Sequence, residues 1–322
     1  MSIRRLAFSL VFTLATTAGA QQPPAPAPET APVPVPPAAA PAPPLPAADR
    51  GDFKVVYEKI ANPDNRELQE IFRGTRLLEE TAKALNEKLA LPADVTLALR
   101  ECGVADATWE ADKHRISICY ELVGAFAELF LSSGKAPDAE QAGAAVAAAT
   151  LFTLLHETGH ALLDLYQLPA AAGREEAADQ IATLVLLGSG KEGGTTAVED
   201  ASILLTQERD AGMRARLARV PFWSGHGFDE ARLSSILCWV YGRDPQAFQE
   251  LAGDGTLPAP RAEGCALEYE RVAKTWAEPL APHLSGWTLV PPPTPPAAPA
   301  VTPAPSEPPS PPSPPSPPPP TP

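Results

Sequence analysis

The chemistry of this chain concentrates in five residues, His156-Glu157-Thr158-Gly159-His160. Two His at i and i+4 on a helix stand one turn apart and can aim their ring nitrogens at one zinc ion. Glu157 lies one step round the same face, placed to reach the attacking water rather than the metal. Zinc lowers the pKa of such a water towards ~7 and polarises a carbonyl, which makes Glu157 the candidate general base and then general acid. A catalytic zinc takes three protein ligands and keeps its fourth position open. Asp164 continues the same face but lies eight residues beyond His156, or ~12 Å along a helix axis. It is therefore expected to support the site as a hydrogen-bond acceptor or salt-bridge partner. A better third ligand follows Gly173-Arg174, in Glu175-Glu176-Ala177-Ala178-Asp179. A turn over Gln167–Gly173 returns a second helix antiparallel to the first and brings Glu175 to the His pair. Glu176 is the rival, although an acidic residue in a first helical turn also suits the helix dipole. Asp179, one turn on, is placed to accept a hydrogen bond from the free ring nitrogen of a ligand His, which sets its tautomer.

These residues need elements to hold them. Ala139–Leu165 is nearly all Ala, Val, Leu and Phe, so the helix it predicts is apolar all round and must be buried. Thr153, His156, Glu157, His160 and Asp164 break that pattern at i, i+3, i+4, i+7 and i+11, on one face. Burying such groups is costly, so the stripe predicts an internal polar site. Upstream, Arg66–Leu89 reads as one long amphipathic helix, with Leu68, Ile71, Phe72, Leu77, Leu78, Leu85 and Leu89 near one face. The period then changes to two over Val95–Leu99. Ala107–Ala111 and Arg115–Tyr120 flank a turn at Asp112-Lys113-His114, which predicts a small antiparallel sheet. The segments Glu121–Ser132, Arg174–Leu187, Val198–Arg209, Asp229–Tyr241, Pro245–Leu251 and Glu263–His283 read as further helices, giving an α+β pattern.

The HExxH helix, a short connection and a second helix carrying Glu-x-x-Ala-Asp resemble the gluzincin metallopeptidases. From about Val55 to His283 the chain resembles an exported bacterial family of uncharacterised metallopeptidases. The matching stretches are Ile116–Leu122, His156–Asp164, Glu175–Ala182 and Leu237-Cys238-Trp239-Val240-Tyr241-Gly242. The resemblance implies a zincin-like α+β fold and hydrolysis of a peptide or protein substrate. It implies one Zn2+ per chain, with His156, His160 and Glu175 as ligands. Gluzincins often hold the developing oxyanion with a His or Tyr from a later segment, and His226, in Trp223-Ser224-Gly225-His226-Gly227, is the candidate. Here Gly225 precedes that His and Ala231-Arg232 stands where the family favours Gln-Arg. Zincins also pair the substrate backbone with an edge strand above the active-site helix, a role open to Ala107–Ala111 or Arg115–Cys119. His114 and His283 are expected at the surface.

The rest of the sequence supplies an address and exclusions. Arg4 and Arg5, the apolar run Leu6–Ala15 and Ala18-Gly19-Ala20 form a signal peptide over residues 1–20, with export to the periplasm or medium after cleavage near Ala20. No later run approaches a transmembrane length. Of 41 Pro, 12 fall in residues 21–50 and 19 in residues 291–322, too many for either segment to bury a core. Both read as disordered arms, spacers or ligands for a polyproline-binding envelope partner, which leaves one domain over residues 51–290. The even count of Cys, at 102, 119, 238 and 265, fits an oxidising compartment, and nearest-neighbour pairing, one of three possible connectivities, gives Cys102–Cys119 and Cys238–Cys265. A net charge of −14 repels phosphate backbones and argues against nucleic-acid binding. The alternative to a peptidase is a zinc-bearing envelope protein that binds a partner and cleaves nothing. The intact Glu157 argues against it, since a binding site needs no general base.

Overall fold

The computed structural model describes residues 48–132, 139–189, 193–198, 201, 204 and 209–285. The expected signal peptide, most of the 21–50 arm, the 291–322 arm and most of the Val198–Arg209 helix lie outside these residues.

A four-stranded sheet forms first. Its strands are β1 (Phe53–Tyr57), β2 (Val95–Arg100), β3 (Ala107–Glu110) and β4 (Arg115–Cys119), in the order β1-β2-β4-β3. The β3–β4 hairpin is antiparallel, as expected, but β1 with β2 and β2 with β4 are parallel. The sheet is therefore mixed rather than antiparallel. The reason is β1, which precedes the first element legible in the sequence and needs a helical crossover to reach β2. In β2 the residues Leu97, Ala98 and Leu99 are all buried, as expected of an interior strand covered on both faces.

The crossover is not one helix. It breaks into α1 (Asn65–Thr75) and α2 (Leu77–Asn86) at Arg76, which adopts a left-handed conformation with φ 57°. The break redirects the chain so that Phe72, Leu78 and Leu85 reach the core, while Ile71 is left half exposed. After the sheet come α3 (Tyr120–Ser132), α4 (Ala139–Leu165) and α5 (Arg174–Leu187), close to the expected bounds. Then follow α6 (Ala211–Leu217), α7 (Pro221–Gly225), α8 (Glu230–Arg243), α9 (Glu250–Gly253) and α10 (Ala259–Leu280). Of the expected Pro245–Leu251 helix only Glu250 and Leu251 are α-helical, in an element that runs on to Gly253, and α10 starts earlier than predicted, with Pro260 in its first turn.

Helix α4 packs against α3, α5 and the β3–β4 hairpin, and α8 packs against α5 and α10. Disulfides join Cys102 to Cys119 across the end of the sheet and Cys238 to Cys265 between α8 and α10, the nearest-neighbour pairing. Two disulfides are compatible with an exported protein. Among the described residues, no helix is long and apolar enough to cross a membrane.

Candidate metal centre

Helix α4 carries its polar stripe into the middle of the protein. His156 and Glu157 are fully buried, and Thr153 and His160 nearly so. The helix can sit this deep because α5 approaches it closely. A Cβ on Gly159 would stand 2.8 Å from Ala178 Cα and 3.0 Å from Ala178 O, so only glycine admits this contact. The pairing sets α5 beside the histidines along its first two turns.

Glu175, on the first turn of α5, faces them. Its Oε2 lies 3.3 Å from His156 Nε2 and its Oε1 3.4 Å from His160 Nε2. Glu176 points elsewhere, is exposed, and accepts a hydrogen bond from Gln180 Nε2 at 3.0 Å. Asp179, only 1 % exposed, takes His156 Nδ1 at 2.8 Å on its Oδ1. That contact turns His156 Nε2 towards His160 Nε2, 3.2 Å away.

His226, at the end of α7, completes the group. Its Nδ1 is 3.2 Å from His156 Nε2 and 2.9 Å from Glu175 Oε2. Its Nε2 faces the main-chain oxygen of Ala107 at 3.4 Å. One donor atom from each of His156, His160, Glu175 and His226 falls within a span of 4.8 Å. Phe228 and Phe222 line the same side, their rings 5.6 Å from His156 and 4.7 Å from His226.

A metal fits this donor set on two counts. Ligands held at about 2.0–2.1 Å around a tetrahedral zinc stand about 3.3 Å from one another. The separations given above run from 2.9 to 3.4 Å. The second count is Glu157, whose two carboxylate oxygens are buried without a hydrogen bond. His226 Nε2, 3.4 Å from Glu157 Oε1, is too loosely placed to satisfy it. Buried carboxylates without partners are costly, so a donor is expected between Glu157 and the cluster.

The electrostatics agree. Burial alone would push the imidazolium of His156 down. The hydrogen bonds to Asp179 and Glu175 outweigh it and raise its pKa to about 9. Burial likewise opposes ionisation of Glu175, but the three surrounding imidazoles hold its carboxyl far below the usual carboxylate range. The carboxylates of Glu175 and Asp179 thus make this a site for positive charge, and Glu157 stands beside it.

The other residues singled out from the sequence lie outside the cluster. Asp164 pairs with Arg174 Nη2 at 2.9 Å and accepts from Trp109 Nε1 at 2.8 Å, tying α4 to α5 and to β3. His114 sits in the β3–β4 turn, half-buried and stacked on Trp109. His283 is half-buried rather than exposed, because its ring stacks on Tyr166 with centroids 3.6 Å apart, and burial lowers its pKa. Strand β3 is the sheet edge beside α4, whereas β4 is interior, so of the two strands only β3 has a free edge. Arg232 is a contact that motif reading did not assign. It lies beside Asp179, and the signal for it was its place where the family favours Gln-Arg.

No curated protein and no solved structure matches the chain. The sequence profile of the DUF4344 family, described as Putative metallopeptidase, matches residues 57–280, from the last residue of β1 through the cluster to the end of α10; the chain therefore belongs to that family.

Proposed function

We propose that the protein is a zinc-dependent peptidase of gluzincin type, acting outside the cytoplasm after cleavage near Ala20. The observation that carries this reading is the convergence of His156, His160, Glu175 and His226 beside an unpartnered, buried Glu157. His156, His160 and Glu175 are the metal-holding residues. Zinc in that position supplies Lewis-acid polarisation of the scissile carbonyl and lowers the pKa of water. Glu157 takes the proton from the attacking water and delivers it to the leaving amine. Asp179 holds the proton on His156 Nδ1, which keeps Nε2 free to donate its lone pair. His226 turns towards the developing oxyanion and stabilises it. The free edge of β3 pairs with the substrate backbone. The two disulfides support the exported location, and the Pro-rich arms serve as spacers or as ligands for an envelope partner.

One observation favours a second reading. Four protein donors close a zinc site, and a closed site is structural rather than catalytic. Under that reading the protein is a zinc-bearing scaffold. The unsatisfied Glu157 favours hydrolysis, since a structural site has no use for it. The deciding experiment is metal content by mass spectrometry together with cleavage of a mixed peptide library. The expected result is about one zinc per chain, lost in a His156→Ala/His160→Ala double variant. Glu157→Gln is expected to keep the zinc and abolish cleavage. No zinc in the wild type sinks both readings, and zinc without any Glu157-dependent cleavage leaves the scaffold.

A further inference from the structure

We propose that Arg232 is the positioning residue of this centre, holding Asp179 and the main chain of His226 at once so that both imidazoles stay aimed at the metal. The inference rests on the metal-site reading above and adds the residue that aligns it.

Arg232 occupies the first turn of α8, where the N-cap Asp229 accepts its backbone N–H at 3.0 Å. The side chain runs inward and is only 14 % exposed. Its guanidinium spends its donors on two different halves of the site. Nε donates to Asp179 Oδ2 at 2.8 Å, and Nη2 stands 2.7 Å from the same oxygen as an ion pair without a hydrogen bond of its own. Nη1 donates to the main-chain oxygen of His226 and stands 3.8 Å from Glu175 Oε2. The guanidinium also lies over the Phe228 ring, 4.2 Å from its centroid, which fixes its plane.

The division of oxygens on Asp179 is the centre of the argument. Arg232 takes Oδ2, and His156 Nδ1 takes Oδ1 at 2.8 Å. A carboxylate this buried needs a compensating charge. Arg232 supplies it without competing for the oxygen that orients His156. The second arm grips His226 at its carbonyl, at the end of a five-residue helix where the His226 N–H already donates to Phe222 O and Gly227 follows at φ 60°. A guanidinium is a rigid planar fork and serves both arms together, whereas a lysine ammonium is a single point charge. Arg232 thus couples α5, which carries Glu175 and Asp179, to the turn that carries His226.

The test uses the full exported chain, stripped of metal and titrated with zinc alone against a chromogenic chelator. Arg232→Met is expected to weaken zinc binding about 10- to 100-fold, the usual consequence of losing a partner behind a metal-binding His. Arg232→Lys restores the charge but not the fork, and is expected to recover only part of that loss. Because part of the effect of Arg232 passes through Asp179, Arg232→Met/Asp179→Asn should weaken zinc binding by less than the product of the two single losses. Cobalt substituted for zinc should show an altered visible spectrum in Arg232→Lys, a change that a purely structural role would not produce. Should Arg232→Met fail to fold, the Lys variant carries the test through affinity and spectrum. Wild-type affinity and an unchanged cobalt spectrum in Arg232→Lys would overturn the proposal while leaving the metal centre standing. A wild-type chain that binds no zinc would overturn both.

Discussion

The two sides of the candidate metal centre are built differently. His156, Glu157 and His160 stand on a buried helix, and α5 is pressed against it with no room for a side chain at Gly159. His226 stands at the end of a five-residue helix, followed by Gly227 at φ 60°. Its position depends on a long-range contact with Ala107 on the sheet edge and on Arg232, six residues on, in α8. The first side is rigid by packing and the second by a few polar contacts. Rigid elements suit groups that must hold a metal in fixed geometry, and a lightly held turn suits a group that must follow charge as it develops.

The comparison breaks most directly at the histidines. His160→Ala removes a donor from the rigid side and is expected to abolish stoichiometric metal binding. His226→Ala is expected to retain about one zinc per chain but to lower kcat about 10²–10³-fold, the range found on losing an oxyanion donor. Metal analysis beside initial rates decides the matter, and equal metal loss in both variants would make His226 a ligand of the same standing as His160.

Glycine substitutions separate the two sides by stability. Gly159→Ala drives a Cβ into the Ala178 backbone. Overpacking of this kind costs about 1–3 kcal/mol, which lowers Tm by roughly 2–12 °C for a domain of this size. Gly227→Ala meets no atom within 4 Å and bears only the strain of its positive φ. That is about 1 kcal/mol, or roughly 2–4 °C. A melting curve for Gly159→Ala that overlays the wild type would refute the tight α4–α5 seam.

The smallest effect is on the sheet edge that supports His226. Glu110 ends β3, and Arg115 and Ser117 on β4 with Lys113 in the turn stabilise its carboxylate against partial burial and hold its pKa down to about 2, Arg115 most of all. A carboxyl depressed by folding adds stability above its unfolded pKa, about 4.3, and loses it as pH falls through the folded value. The stability difference between wild type and Glu110→Gln should be constant above about pH 5 and shrink between about pH 4.5 and 2. Unfolding curves across that window test it, and a pH-independent difference would remove Glu110 from the account.

Much of the rigid side was legible because it is local. The i, i+3, i+4 spacing of His156, Glu157 and His160 fixes their common face on any helix, and the burial of that helix follows from its unbroken apolar composition. Glu175 and Asp179 were legible because one short turn ties α5 to α4. The β3–β4 hairpin was legible from its period of two. The long crossover helix was misread, since a single left-handed residue at Arg76 leaves no periodic signature. The sheet was read as antiparallel because parallel pairing of β1 with β2 depends on partners about forty residues apart.

The sequence by itself determined which groups are candidates for the chemistry and how they are spaced along each helix, because helical geometry converts spacing into direction. Tertiary structure alone decided that Glu175 rather than Glu176 faces the histidines, since both lie in the same turn and only packing against α4 chooses between them. It also decided that His226, 51 residues beyond Glu175, reaches the same point, and that Arg232 joins the two halves. Such contacts depend on where α8 docks against α5, and docking is settled by the summed burial of many side chains rather than by any local pattern.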